Sequence, residues 1–143
     1  FITYLYQKDT MAAGRYSFTI DQGATVDFDI IYKSPSGERI DLTGYTASMQ
    51  IKNSPGGDIT YASLTGGSVD SFTKAPSASF ISLKGSNGTT SITSGSLGVY
   101  LGHAITNNFN FAEASYDLEL TNGAEKTRLL QGQVQLNKQV TTI

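Results

Sequence analysis

Residues 116–136 read YDLELTNGAEKTRLLQGQVQL, and this stretch decides the fold class. Tyr116, Leu118 and Leu120 alternate with Asp117 and Glu119, the period of two that belongs to a strand with one buried and one wet face. Asn122-Gly123 then supplies a tight turn, and a run from Thr127 to Leu136 returns. Asn-Gly between two such runs is the strongest short-range hairpin signal a sequence offers.

Upstream the period stays at two. Tyr16, Phe18 and Ile20 alternate with polar residues, as do Val26, Phe28, Ile30 and Tyr32, with Asp27 and Asp29 on the opposite face. Ser34-Pro35-Ser36-Gly37 reads as a turn, because Pro presets φ and Gly accepts a positive one. Tyr45, Ala47, Met49 and Ile51 form the next run, closed by Ser54-Pro55-Gly56-Gly57, and shorter strand candidates follow at 58–64, 78–83, 89–93 and 97–101. Only 104–114 could hold a helical turn or two, with Thr106 or Asn107 as cap, and its Asn-rich character fits a connection between strands. Many short strands and no long helix predict an all-β fold, an immunoglobulin-like antiparallel β-sandwich, with a closed barrel as second choice.

Between 65 and 96 the composition changes. Gly66-Gly67, Gly85-Ser86-Asn87-Gly88 and Ser94-Gly95-Ser96 interrupt short Ser/Thr strands, with Phe72, Phe80, Ile81, Leu83 and Ile92 as anchors. This stretch reads as a Gly/Ser-rich hairpin or loop excursion projecting from the sandwich. The expected organisation is an N-terminal extension or arm over 1–10 and one sandwich domain over 11–143. The chain opens Phe1-Ile2-Thr3-Tyr4-Leu5-Tyr6, and Met11 is followed by two alanines. Met11 is one candidate start, with 1–10 upstream of it, and Phe1 as the end of a processed or partial chain is the other. An apolar, aromatic arm either packs on a partner subunit or adds a first strand to its own domain.

Composition narrows the function classes. At 143 residues the chain has single-domain length and can bury a sizeable core. It has no Cys, so no disulfide contributes. Charged residues are 15%, against about 25% in ordinary soluble domains. The surface must therefore rely on Ser, Thr, Asn and Gln, or be covered by neighbours. The net charge is −2 and the cations are scattered, which leaves no electrostatic footprint for nucleic acid. No apolar run approaches the ~18 residues of a membrane-spanning helix, so neither nucleic acid nor membrane is an expected partner.

Catalytic constellations fail in turn. With no Cys and a single His, thiol catalysis and a His-rich zinc site are excluded. His103 sits between Gly102 and Ala104, with neither nucleophile nor orienting acid beside it. Asp27 and Asp29 share a strand face about 7 Å apart, a separation that could serve a glycosidase or bind calcium. The plainer account places them on the solvent face opposite Phe28 and Ile30. Gly95-Ser96-Leu97-Gly98 lacks the Lys and the following helix of a phosphate loop, and Asn87-Gly88-Thr89 matches a glycosylation sequon of a kind common by chance. No catalytic, cofactor-binding or metal-binding residue is assigned, and no cofactor is expected. A glycan-binding sandwich would display aromatic platforms; without Trp, Tyr61 and Tyr100 near the loop-rich middle are the candidates, while Tyr45 and Tyr116 read as core.

Three stretches together resemble a known family. They are Asp21-Gln22-Gly23-Ala24-Thr25 leading into Val26–Ile31; Gly37 to Lys52, with Asp41-Leu42-Thr43-Gly44-Tyr45 at its centre; and Tyr116–Leu120 with Thr127–Val134 and a closing Val140-Thr141. This pattern, covering most of 15–56 and 114–141, resembles the short virion proteins of tailed phages. The opening and the Asp-Leu-Thr-Gly corner are similar to the N-terminal domain of phage upper-baseplate proteins. The resemblance implies a β-sandwich that docks a receptor-binding arm onto the tail core, and it brings no catalytic residue. Beside it stands a physical reading: Asp41 and Thr43 cap a turn, Gly44 permits a positive φ, and Leu42 and Tyr45 drop into the core.

The expected function is a non-enzymatic virion structural protein, a tail or baseplate component that connects neighbouring tail proteins or anchors fibres. Its expected partners are other phage structural proteins, in multiple copies within a symmetric assembly. A capsid decoration or neck protein is the alternative within that class, and a receptor- or glycan-binding module the alternative outside it. The residues expected at partner contacts are Phe1, Ile2, Tyr4, Leu5, Tyr6, Tyr61, Phe72 and Tyr100.

Overall fold

The structure is a computed structural model that describes residues 14–67 and 73–140, together with the backbone of residues 2–6. Its strands are β1 (Ile2–Tyr6), β2 (Gly14–Arg15), β3 (Phe18–Asp21), β4 (Val26–Lys33), β5 (Thr46–Lys52), β6 (Thr60–Gly66), β7 (Ser79–Ser82), β8 (Ser96–Leu101), β9 (Glu113–Asn122) and β10 (Glu125–Asn137). A single α-helical turn, α1 (His103–Thr106), links β8 to β9.

The strands form two sheets. One has the order β1-β4-β8-β7, and the other β2-β10-β9-β5-β6, with β3 also paired to β10. The alternating residues of each sheet meet in one core: Phe28, Ile30 and Tyr32 of β4 and Leu97, Val99 and Leu101 of β8 lie on one side. Met49 and Ile51 of β5, Leu64 of β6 and Tyr116, Leu118 and Leu120 of β9 lie on the other. Leu118 is wholly buried, and such burial stabilises by about 1.5–3 kcal/mol per leucine. The chain is an all-β sandwich, as its period of two requires, and not a closed barrel.

Four details differ from the sequence reading. The N-terminal strands pair in parallel, β1 with β4 and both β2 and β3 with β10, so the sheets are mixed rather than antiparallel throughout. Ile2 aligns with Asp29 and Tyr6 with Lys33, which makes β1 the edge strand of its sheet. The β9–β10 turn sits one residue later than expected: Asn122 pairs with Glu125, leaving Gly123 and Ala124 as the two-residue loop. Within β10 the register shifts between Arg128 and Leu130, a bulge that turns both Leu129 and Leu130 into the interior.

The fourth difference concerns 65–96. Far from projecting, its described part belongs to the body of the sandwich. β7 completes the first sheet, pairing Phe80 with Tyr100 and Ile81 with Val99, and Leu83 is buried in the core. Residues 73–78 and 84–90 then fold back over the outer face of that sheet. The Gly102 and Ala104 amides donate to Ala78 and Pro76 carbonyls at 2.8 and 2.9 Å, and the Gly85 amide donates to Ser96 at 3.3 Å. Low apolar content in this stretch reflects a thin cover rather than an excursion.

The corner before β5 follows its expected chemistry. Asp41 Oδ1 accepts from the Thr43 hydroxyl at 2.6 Å and the Thr43 amide at 2.9 Å. Those two bonds hold the Asp41 carboxyl below its ordinary value, the hydroxyl contributing more. Gly44 takes φ 84°, the Tyr45 amide donates to the Leu42 carbonyl at 3.0 Å, and Leu42 drops into the core.

Candidate functional site

The two outer faces of the sandwich are treated differently, and this contrast locates the site. On the first sheet, the carboxylates singled out as an acid pair are both bound by the cover. Lys74 Nζ reaches Asp27 Oδ2 at 2.7 Å, while the Ser86 amide and hydroxyl donate to the two oxygens of Asp29 at 2.6 and 2.7 Å. Each carboxylate therefore clamps a different part of the cover.

Tyr100 belongs to the same arrangement. It is 6% exposed, stacks on Phe80 with centroids 5.0 Å apart, and donates its hydroxyl to the Ala75 carbonyl at 3.3 Å. Lys74 Nζ lies 5.9 Å from the ring. The expectation of an exposed platform fails for Tyr100, because its outward ring is roofed by the folded-back segment. Tyr61, on β6 of the other sheet, is half-buried against Phe111 at 4.6 Å. The two tyrosines are not brought together. Ile2, Tyr4, Leu5 and Tyr6 are residues of β1 along β4, and Phe1 and Phe72 lie outside the described residues. His103 opens α1 at the surface, and among the described residues no hydrogen bond reaches its imidazole. Among the described residues no group of three or more His, Asp or Glu side chains could hold a metal ion.

Among the described residues, the second sheet's outer face has no such roof. Strand register sets out a row of polar side chains straight across it: Ser63 beside Gln50, Gln50 beside Asp117, Asp117 beside Gln131, and Gln131 beside Arg15. Gln50 Nε2 donates to Ser63 Oγ at 3.0 Å, and Arg128 Nε lies 3.5 Å from Asp117 Oδ2. A second pair, Lys126 and Glu119, stands 3.9 Å apart farther along the same strands. The row borders a depression of about 700 Å3, walled by Arg15, Lys52, Asp117, Arg128, Gln131 and Gln133 and lipped by Ser54-Pro55-Gly56 of the β5–β6 loop.

No family model and no curated protein matches the chain. Among solved structures it is similar to the N-terminal domain of phage TP901-1 ORF48. The TM-score is 0.45 at 10% sequence identity, over 96% of this chain and 97% of that one.

Beneath the depression one side chain ties two parts of the sheet together. Tyr116 points inward from β9, and its hydroxyl donates to the Tyr16 carbonyl, tying the link between β2 and β3 to a strand 100 residues away. Burial, with a smaller contribution from the Tyr16 phenol, pushes the Tyr116 phenol above its ordinary value of 10.0. Gly132 faces Tyr116 across the ladder, and a Cβ there would run into the Tyr16 carbonyl and press the Tyr116 ring at 3.2 Å. Chemically the face presents cations, carboxamides and hydroxyls, with the Asp117 carboxylate held by Arg128. Sequence reading placed Asp117 and Glu119 on a wet strand face but missed the row. Periodicity says which side of a strand is polar, and only register says which polar residues become neighbours.

Proposed function

We propose that this chain is a non-enzymatic structural protein of a bacteriophage virion, a tail or baseplate component that connects neighbouring tail proteins or anchors fibres. The observation that carries the reading is where the resembling residues lie. Asp41-Leu42-Thr43-Gly44-Tyr45 forms the corner into β5, and Tyr116–Leu120 and Thr127–Val134 form the β9–β10 hairpin against which β5 pairs. Two of the three stretches that resemble tailed-phage virion proteins thus frame the second sheet, whose outer face carries the depression, while the third, Asp21–Thr25 into Val26–Ile31, leads into β4 of the first sheet.

Assembly also fits the edges. β1 adds to β4 by parallel backbone pairing, the mode by which a sheet edge takes a strand from a partner. Multiple copies in a symmetric ring would cover edges and polar faces on a chain with few charges. A reconstruction of intact particles, with this chain located in the density, tests the reading. A ring or collar on the tail is the expected result. A position on the capsid shell would make it a decoration protein, and absence from purified particles would end the virion reading.

A further inference from the structure

We propose that the open face of the second sheet, centred on Arg15 and Lys52, docks a carboxylate-rich segment of a partner polypeptide. The charge balance is the first argument. The chain carries a net charge of −2, yet the charged walls of the depression are three cations, Arg15, Lys52 and Arg128, against one anion, Asp117. Asp117 is engaged by Arg128. Arg15 and Lys52 have no ion-pair partner among the described residues, so two positive charges remain on a face that borders a depression of about 700 Å3. A guanidinium matches a carboxylate with two parallel hydrogen bonds, and an ammonium adds an undirected charge beside it.

The second argument separates a polypeptide from other carboxylate carriers. Gln50, Gln131 and Gln133 all line the depression, and carboxamides offer both donors and acceptors, the pattern of a peptide group. A sugar ring would need a flat aromatic surface. Among the described residues, the only aromatic ring bordering the depression belongs to Tyr116, which is 5% exposed. Ile59, in the same β5–β6 loop as the lip, is 53% exposed, an apolar side chain of the kind a protein partner covers. The proposal deepens the assembly reading and rests on it only for taking the partner to be another protein.

The test is an NMR titration of the isotopically labelled full chain with a short peptide of alternating Glu and Asp. Polygalacturonate serves in parallel as a carboxylate-bearing polysaccharide. The peptide is expected to shift amides at 15–17, 50–56, 115–117 and 128–133, with affinity falling as salt is added. Arg15→Glu with Lys52→Glu should weaken it about tenfold or more. Arg39→Glu with Lys138→Glu, the same change in net charge on exposed residues elsewhere, should leave it unchanged. Should the charge reversals disturb β2, Arg15→Gln with Lys52→Gln gives the same reading with less perturbation. Shifts scattered over the surface, equal weakening by the Arg39 and Lys138 pair, or tighter binding of polygalacturonate would each overturn the proposal. Because the titration uses the isolated chain, its failure leaves the position in the particle untouched, and a misplaced chain in the particle leaves the titration standing.

Discussion

Replacing Tyr116 by Phe removes one oxygen from the interior and leaves the ring in place, edge-on to Phe18 with centroids 5.1 Å apart. The lost group is the hydroxyl that donates to the Tyr16 carbonyl. A hydrogen bond of this kind contributes about 1 kcal/mol net, and an acceptor left short of a partner costs about 1–3 kcal/mol. The expected destabilisation is therefore about 1–2 kcal/mol, which for a chain of 143 residues lowers Tm by about 3–6 °C. Calorimetry at neutral pH reads the fall, and hydrogen exchange on residues 15–20 reads its location. The loss should concentrate where β2 and β3 meet β10, because the hydroxyl is their tie to β9. Alkaline pH gives a second reading. The folded Tyr116 phenol titrates above its ordinary 10.0, so above about pH 10 the unfolded chain releases a proton that the folded chain retains. The unfolded state then binds fewer protons, and stability falls as pH rises. Tyr116→Phe lacks this contribution, so its deficit against the parent should narrow above pH 10. A residual slope should persist from Tyr32, whose phenol is also raised, mainly by burial and then by Tyr45. A variant that melts with the parent at neutral pH and keeps the full alkaline slope would refute the assignment of this hydroxyl as a tie.

Gly132→Ala should cost more than Tyr116→Phe, about 2 kcal/mol or above, because the added methyl meets backbone at Tyr16 that β10 itself holds; urea denaturation reads the difference. Asp29→Ala removes both bonds to Ser86 and should cost about 1–2 kcal/mol. Its signature is faster amide exchange at 84–90 with that of β9 and β10 unchanged. Leu118→Ala, at a fully buried position in the middle of the second sheet, should cost about 2–5 kcal/mol by leaving a cavity. A loss under about 1 kcal/mol in its chemical melt would mean the two sheets close over the gap.

The fold was legible because its signal is local. Val26 to Tyr32 and Tyr116 to Leu120 alternate wherever one face is buried, and the structure buries Phe28, Ile30, Tyr116, Leu118 and Leu120 as the alternation requires. The corner at Asp41 was legible for the same reason, since its hydrogen bonds span two residues. What escaped depends on distant partners. Parallel pairing of β1, β2 and β3 has no sequence signature, and the roof over Tyr100 comes from Lys74 and Ala75, which nothing near Tyr100 announces. The turn at Gly123-Ala124 was displaced by one residue because Asn122 still closes the ladder with Glu125. Leu129-Leu130 breaks the alternation, and without register a bulge cannot be told from the end of a strand.

The same contrast bears on function. A sheet with both faces buried loses the alternation of its strands, and β8 does so: every residue from Ser96 to Leu101 is buried. The strands of the second sheet keep it, with Ser48, Gln50 and Lys52 outward on β5 and Ser115, Asp117 and Glu119 outward on β9. Among the described residues, the chain thus roofs one sheet with a segment of its own and leaves the other open. If that second face were only a solvated surface, opposite charges could be paired across its strands, as Lys126 and Glu119 are. Arg15 and Lys52 depart from that arrangement: each stands beside the depression with Gln or Ser as its cross-strand neighbour, Gln131 for Arg15 and Ser115 for Lys52. Cations set among carboxamides and hydroxyls leave the complementary charge to be supplied from outside. A scaffold whose partner brings that charge gains orientation as well as attachment, because a guanidinium and an ammonium on different strands fix the line along which an acidic segment can lie.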